Sequence, residues 1–206
     1  MKTTNLSELV RMSITTDTNT PWQSIRDDIR DECGYNIISF SEIVHTSDDI
    51  SDTVPVIERH IYEEQNPHVL GGLTQALLDS RYFHLLNVNK LIEKYKTFND
   101  TWLGNSDSGG RGTLAHLISL MIDKDDLDKI YDIFLSDKAL GNTRIWFLYR
   151  LNKYKANQKF YAYLKKLSKD PEENIIIDGS GNSLGGVASV ILSSKKWKKF
   201  AEENAK

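Results

Sequence analysis

The chain has 206 residues, of which 39% are hydrophobic and 27% charged, a composition that excludes a disordered or fibrous protein and suits one globular domain. Its 26 basic and 29 acidic residues give a formal charge of −3, so the overall basic field typical of nucleic-acid-binding proteins is absent. Cys33 is the only cysteine, which excludes an internal disulfide and a zinc site built from thiolates. The chain lacks an apolar run near the ~18 residues of a membrane helix and a signal-peptide core at its start, so we expect a cytoplasmic protein with no membrane contact.

The charges are unevenly distributed along the chain. Residues 1–149 carry 14 basic and 23 acidic side chains, a net charge of −9, whereas residues 150–206 carry 12 and 6, a net charge of +6. Such a dipolar molecule can steer a charged partner even though its total charge is small. The alternative is that the two parts are differently solvated ends of one fold.

Apolar residues recur mainly with helical spacing, at positions i, i+3, i+4 and i+7. Four segments match this spacing fully: Leu114, Leu117, Ile118 and Met121; Leu127, Ile130, Tyr131 and Phe134; Phe160, Tyr163, Leu164 and Leu167; and Leu184, Val187, Ala188 and Ile191. The best strand candidate, Ile175–Ile177, is only three residues long. The sequence therefore predicts an all-α fold.

Capping residues, prolines and glycines divide this pattern into separate helices. Thr20-Pro21 is typical of a cap followed by the first helical residue, Asn66-Pro67 separates two helices, and Asn142 or Thr143 is a suitable cap further along. In chain order, the predicted helices are 21–33, 52–64, 68–79, 81–99, 112–122, 126–136, 143–155, 157–168 and one from 184 onward.

Charged amphipathic helices alternate with more apolar ones that follow a turn. The apolar set begins near Leu73, Leu114, Ile145 and Val187, which are about 30–40 residues apart from one to the next. Helix pairs that recur with a period of this size indicate an α-solenoid.

Residues 50–195 resemble the HEAT-like helical-repeat proteins, and the best local match runs from Asp125 to Tyr154. In that family the turn often carries Asp or Asn and the second helix an Arg near its start, and Asn142 and Arg144 occupy those places. The irregular spacing and the long 169–183 connection depart from the family pattern. The resemblance implies one domain, 1–206: an α-solenoid of about four helix pairs (50–195), N-terminal capping helices (1–46) and a C-terminal tail (196–206). An irregular compact helical bundle is the alternative.

The motifs associated with chemistry are incomplete in this sequence. The Gly-rich segment 175–186 has Leu184 where a dinucleotide fingerprint needs glycine, so we interpret its glycines as a tight turn with close helix packing. Segment 106–113 is interpreted as a loop and helix entry, or alternatively as an anion-binding turn that uses Arg111. The five histidines form no H-E-x-x-H motif, and acidic neighbours should raise the pKa of the Cys33 thiol. We therefore expect no catalytic activity, metal or cofactor.

The segment 144–154 contains the best candidate binding residues. If Ile145, Leu148 and Leu151 form the buried stripe of a helix, another face is left for a partner. That face carries Trp, Tyr and Arg, the residue types enriched at interface hot spots, and neighbouring second helices would extend it. The predicted partner-binding residues are Trp146, Tyr149, Arg150 and Lys153, together with Gln75, Asp79, His116 and Ser119. The alternative is that Trp146 and Tyr149 only pack between helices.

The C-terminal segment 195–199 mixes lysines with Trp197. We interpret it as a solvated terminal helix with Trp197 and Phe200 docked on the domain, the alternative being a contact with phosphate.

These features favour a protein-binding module that is not an enzyme. Size and composition resemble those of small HEAT-like immunity proteins of bacteria, which implies one-to-one binding of a cognate toxin. A basic toxin domain would suit the acidic first 149 residues. One alternative is an adaptor or scaffold in a larger assembly. A second is a nucleic-acid-acting enzyme similar to HEAT-like DNA glycosylases, which would need a basic channel with a catalytic carboxylate.

Overall fold

A computed structural model describes residues 22–39, 41–99, 109–122, 137–175 and 182–204. Within these ranges the chain forms ten α-helices and no strand, which confirms the predicted all-α class. The helices are α1 (Trp22–Cys33), α2 (Ser41–His45), α3 (Val54–Glu63), α4 (Pro67–Asp79), α5 (Val88–Thr97), α6 (Gly110–Met121), α7 (Ile145–Asn152), α8 (Gln158–Lys169), α9 (Leu184–Ser193) and α10 (Lys195–Glu203). None of these helices has the length and apolar character needed to cross a membrane.

In the part of the chain that the structure describes, four 3₁₀ segments accompany the α-helices. They are Ser51–Thr53, Phe83–Leu85, Lys138–Arg144 and Glu172–Asn174. The first and third lead directly into α3 and α7, so these two helices begin later than the apolar spacing predicts.

Side-chain caps fix the starts of several helices. The Asn66 carboxamide accepts hydrogen bonds from the backbone N–H groups of His68 and Val69 at the start of α4. Asn157 and Ser183 cap α8 and α9 in the same way. Each cap satisfies donors that the helix itself leaves unpaired, so the polar residue before an apolar stripe determines where the helix begins.

Several predicted helix boundaries are wrong, including the end of the helix 143–155, which the structure places at Asn152. The single helix 81–99 is replaced by the 3₁₀ segment Phe83–Leu85 and α5, because Leu86 is extended and Asn87 caps a new start. The helix from 184 onward divides at Ser194, which is extended with a ψ of 154°. Residues 143–144 belong to a 3₁₀ segment rather than to α7, and Asp137 caps that segment in place of Asn142 or Thr143.

Some predictions lie outside the described residues, and one helix is new. The predicted helix 126–136, residues 106–108 of segment 106–113 and residues 1–21 of the capping region 1–46 lie outside the described residues, as do Ile176 and Ile177 of the strand candidate. Helix α2 has no counterpart among the predicted elements. It is only five residues long, which is too short for apolar periodicity to indicate.

The more apolar helices contact one another in chain order. Helix α4 packs against α6, α6 against α7, and α7 against α9. The amphipathic helices pack beside this row, since α3 contacts α1, α4 and α5, and α8 contacts α9. Contacts between successive helices are the arrangement that the solenoid prediction requires, and the solenoid itself stays a prediction.

Helices α4 and α6 approach each other closely through small residues. A Cβ atom placed on Gly110 would lie 2.4 Å from the carbonyl oxygen of Pro67, so no larger residue fits there without a backbone shift. The Thr74 and Thr113 hydroxyl oxygens are 2.7 Å apart and form a hydrogen bond across the same interface. This contact fixes the spacing of the two helices that carry the candidate site.

Four basic side chains bind backbone carbonyls at the C-terminal ends of preceding helices, where the helix dipole is negative and carbonyls lack internal partners. They are Lys94 on the carbonyls of Tyr62 and Glu64, Arg111 on those of Tyr95 and Lys96, Arg150 on those of Leu120 and Ile122, and Lys196 on those of Asn152 and Tyr154. These contacts connect α3, α5, α6 and α7 to later parts of the chain.

Asn142 and Arg144 connect the segment before α7 to the segment before α9. The Asn142 amide donates to the carbonyl of Asn182 at 3.1 Å, and its oxygen accepts from the backbone N–H of Leu184. The Arg144 guanidinium lies 2.6 Å from the Glu173 carboxylate, and both side chains are buried. Because a buried charge without its partner is costly, this ion pair strongly constrains how the two segments pack.

Candidate functional site

A groove of about 510 Å³ opens between α4, α6 and α7. Each helix contributes one face: residues 75, 78 and 79 come from α4, residues 113, 116 and 120 from α6, and residue 146 from α7. The lining residues are Gln75, Leu78, Asp79, Thr113, His116, Leu120 and Trp146. The structure therefore brings together Gln75, Asp79, His116 and Trp146, four of the eight residues predicted from the sequence.

Aromatic rings form one wall of the groove. The His116 imidazole stacks on the Trp146 indole, with ring centroids 3.7 Å apart and planes inclined by 7°. The Tyr149 ring meets Trp146 edge-on at 6.0 Å and is 40% exposed. Trp146 is half-buried against the core, so it both packs between helices and lines the groove.

A carboxylate lies at the α4 side of the groove. Asp79 is the last residue of α4, and the Gln75 amide one turn earlier donates to its Oδ2 at 2.6 Å. Both side chains are exposed. The groove therefore offers a solvated negative charge held in place beside an aromatic surface.

The environment of His116 keeps its imidazole neutral near pH 7. Burial lowers the pKa of this side chain, the Asp79 carboxylate opposes the shift, and the Lys153 ammonium adds to it. The net result is a pKa below the ordinary value of 6.5, which favours the neutral form of the ring stacked on Trp146.

Ser119 and Arg150 were predicted to face the partner, but in the structure neither side chain faces the groove. Ser119 is 2% exposed, and its hydroxyl donates to the carbonyl of His116, so this side chain is not available at the surface. Arg150 is half-buried, and its guanidinium donates to the carbonyls of Leu120 and Ile122 at the end of α6. Helical spacing alone would place Arg150 on the open face, but the hydrogen bonds to these carbonyls hold its side chain against α6.

The remaining predicted residues are accessible. Lys153 is exposed one turn beyond Tyr149, and its charge acts on His116. Leu78, Thr113 and Leu120 line the groove without having been predicted. Leu78 lies three residues from Gln75, and Thr113 and Leu120 lie three and four residues from His116. This helical spacing is the sequence signal that could have identified them.

The glycine-rich segments contribute packing where the structure describes them. A Cβ atom on Gly185 would lie 2.6 Å from the Asn174 carboxamide oxygen, which confirms the close helix packing predicted for the described part of segment 175–186. Arg111 is buried and donates to carbonyls, which corrects the alternative in which it binds an anion.

Cys33 and the histidines do not belong to a metal-binding group in the described ranges. Burial raises the pKa of the Cys33 thiol, and the nearby Asp52 and Glu32 add to this as the sequence predicts. Within the residues that the structure describes, no group of three His, Cys, Asp or Glu side chains is arranged to hold a metal ion.

Comparisons of the sequence with protein-family models, and searches of curated proteins and solved structures, find no match.

Proposed function

We propose that this chain is a HEAT-like helical-repeat protein that binds another protein one to one and catalyses no reaction, and that it serves as an immunity protein against a cognate bacterial toxin. The observation that carries this proposal is the groove between α4, α6 and α7. It combines a stacked His–Trp pair with an exposed carboxylate, and an exposed tyrosine lies edge-on to the tryptophan. Helix α6 packs directly against both α4 and α7. Aromatic side chains in such a setting are the residue type that dominates protein interfaces.

The distribution of charge supports a basic partner. Residues 1–149, which include every residue that lines the groove, have a net charge of −9. Two basic side chains of this region, Lys94 and Arg111, donate hydrogen bonds to backbone carbonyls, and so does Arg150 directly after it. A basic toxin domain would be attracted over a distance, which mainly raises the association rate and makes it sensitive to salt.

The test is affinity capture with the tagged full-length chain in cells of its native host, followed by mass spectrometry and a molar-mass measurement of the eluted complex. We expect one stoichiometric partner that is basic and toxic when expressed alone, with growth rescued by this chain. Trp146→Ala should reduce capture. Val190→Ala, which alters an apolar side chain that is 71% exposed on α9, is the matched control and should not.

Other outcomes would contradict the proposal in distinct ways. Many partners in substoichiometric amounts, without any rescue of toxicity, would indicate an adaptor or scaffold. Co-elution of nucleic acid that withstands moderate salt would favour the enzyme related to DNA glycosylases. Asp79 would supply the carboxylate which that alternative needs, but its basic channel conflicts with the acidic charge of residues 1–149.

A further inference from the structure

The carboxylate of Asp79 has no cationic partner among the described residues, in contrast to several other acidic side chains. Its one hydrogen bond there comes from the uncharged amide of Gln75. Glu32, Glu172 and Glu173, by comparison, each pair with an arginine or lysine. An exposed charge at the wall of a groove, oriented by a neighbouring side chain, is available to bind a cation from outside.

The aromatic wall next to this carboxylate restricts the shape of that cation. His116 and Trp146 stack face to face with planes inclined by 7°, so each ring keeps one flat face outside the stack, and both residues line the groove together with Asp79. A guanidinium group is planar, packs against aromatic rings and offers paired N–H donors to a carboxylate. An ammonium group is compact and strongly hydrated, so it can form an ion pair with the carboxylate but gains little from packing on a flat aromatic face.

The charge balance in the groove leaves Asp79 as its negative centre. Burial lowers the pKa of His116, which favours the neutral imidazole beside Asp79. Lys153 is the cation that acts on His116, but it is exposed, so solvent and salt screen its repulsion. The Arg150 guanidinium donates to two carbonyls at the end of α6 and is therefore held away from Asp79.

We infer that the groove is a binding site for an arginine side chain, with the guanidinium paired to Asp79 and packed on the wall formed by His116 and Trp146. The volume of about 510 Å³ is sufficient for one such side chain. This inference rests on the proposed function, because the arginine would come from the surface of the basic partner. It names the chemistry by which that partner is recognised.

The test is a titration of the full-length chain with N-acetyl-L-arginine amide, monitored through the NMR signals of the His116 ring and the Trp146 indole N–H. We expect saturable shifts at millimolar concentration. The citrulline analogue has the same shape without the charge, and the lysine analogue has the charge without the plane, so both should bind at least several-fold more weakly. Equal binding of citrulline or lysine, or the absence of saturable shifts with arginine, would overturn the inference.

Two matched variants separate a local effect from one of net charge. Asp79→Asn should weaken arginine binding roughly tenfold, because it removes a charge-assisted hydrogen bond. Glu63→Gln changes the net charge equally at an exposed position on α3 and should leave binding unchanged. Equal losses in both variants would show attraction to the general field and no specific site. Since the titration uses no partner protein, capture of a toxin without arginine binding refutes this inference alone, and arginine binding without any captured toxin refutes the proposed function alone.

Discussion

Two tryptophans in similar sequence surroundings occupy opposite environments. Trp197 lies among lysines in α10, yet it is fully buried, donates to the Asn152 carboxamide at 2.9 Å and contacts Phe160, Tyr161 and Phe200. Trp146 follows an arginine at the start of α7, yet it is half-buried on the wall of the groove. A mixture of aromatic and basic residues therefore does not identify a binding surface. Whether such a tryptophan lies in the core or at the groove depends on which elements pack against its helix.

The largest effect should come from the buried tryptophan. Trp197→Ala should lower the free energy of unfolding by about 3–5 kcal/mol, because it opens a cavity among aromatic rings and removes the donor to Asn152. Chemical denaturation followed by circular dichroism measures this. Lys198→Ala, at the adjacent exposed position, should change stability by less than about 0.5 kcal/mol. Similar losses in both variants would contradict the core role of Trp197.

The groove tryptophan should affect binding more than folding. Trp146→Ala or Tyr149→Ala should weaken the complex with the captured partner by roughly 2 kcal/mol or more, as is typical of an interface hot spot. Calorimetric titration measures the affinity, and the denaturation assay used for Trp197 shows whether each variant is folded. If both variants bind as tightly as the unmodified chain, the groove is not the interface.

The third effect is on stability and concerns Arg150. The sequence predicts this side chain at the groove, whereas in the structure it binds the C-terminal end of α6. Arg150→Met keeps most of the apolar stem but removes the hydrogen bonds to the Leu120 and Ile122 carbonyls, so it should cost about 1–2 kcal/mol of unfolding free energy. Lys153→Met alters an exposed cation one turn later and should be nearly neutral in stability. The comparison fails if the lysine variant is the less stable of the two.

The smallest effect should be a pH dependence from His116. Its folded pKa lies below the ordinary value of 6.5, so the unfolded chain takes up a proton first as the pH falls. The stability that neutral His116 provides is thus complete above about pH 6.5 and is lost as the pH falls from there toward the folded pKa. Denaturation midpoints of the native chain and of His116→Gln should diverge in this window. Parallel curves would show that burial does not perturb this group.

The sequence predicted helices best where a cap and an apolar stripe coincide. The predicted ranges 68–79 and 157–168 are within one residue of α4 and α8, whose first N–H groups are capped by Asn66 and Asn157. The range 81–99 failed because apolar residues continue at helical spacing across Leu85 and Leu86, although Asn87 signals a new helix. Local hydrogen bonding overrode periodicity there.

The candidate site was predictable in its composition but not in its details. Assuming that second helices are neighbours is enough to bring Asp79, His116 and Trp146 together, and α4, α6 and α7 do pack in that order. The same spacing cannot show which flank of a helix the next element covers. For that reason it placed Ser119 and Arg150 at the groove, whereas one is buried and the other binds backbone carbonyls.

Because of the close approach at Gly110, the width of the groove and its chemical character depend on different residues. These two properties can therefore change independently as the sequence diverges. The width of the groove depends on the backbone contact between Pro67 of α4 and Gly110 of α6. Only glycine fits at position 110. Its chemical character depends on side chains such as Gln75, Asp79 and His116, which take no part in that contact. A lineage can therefore exchange the lining residues and acquire a new specificity while the scaffold keeps its dimensions. Close homologues should share the glycine and differ in the lining.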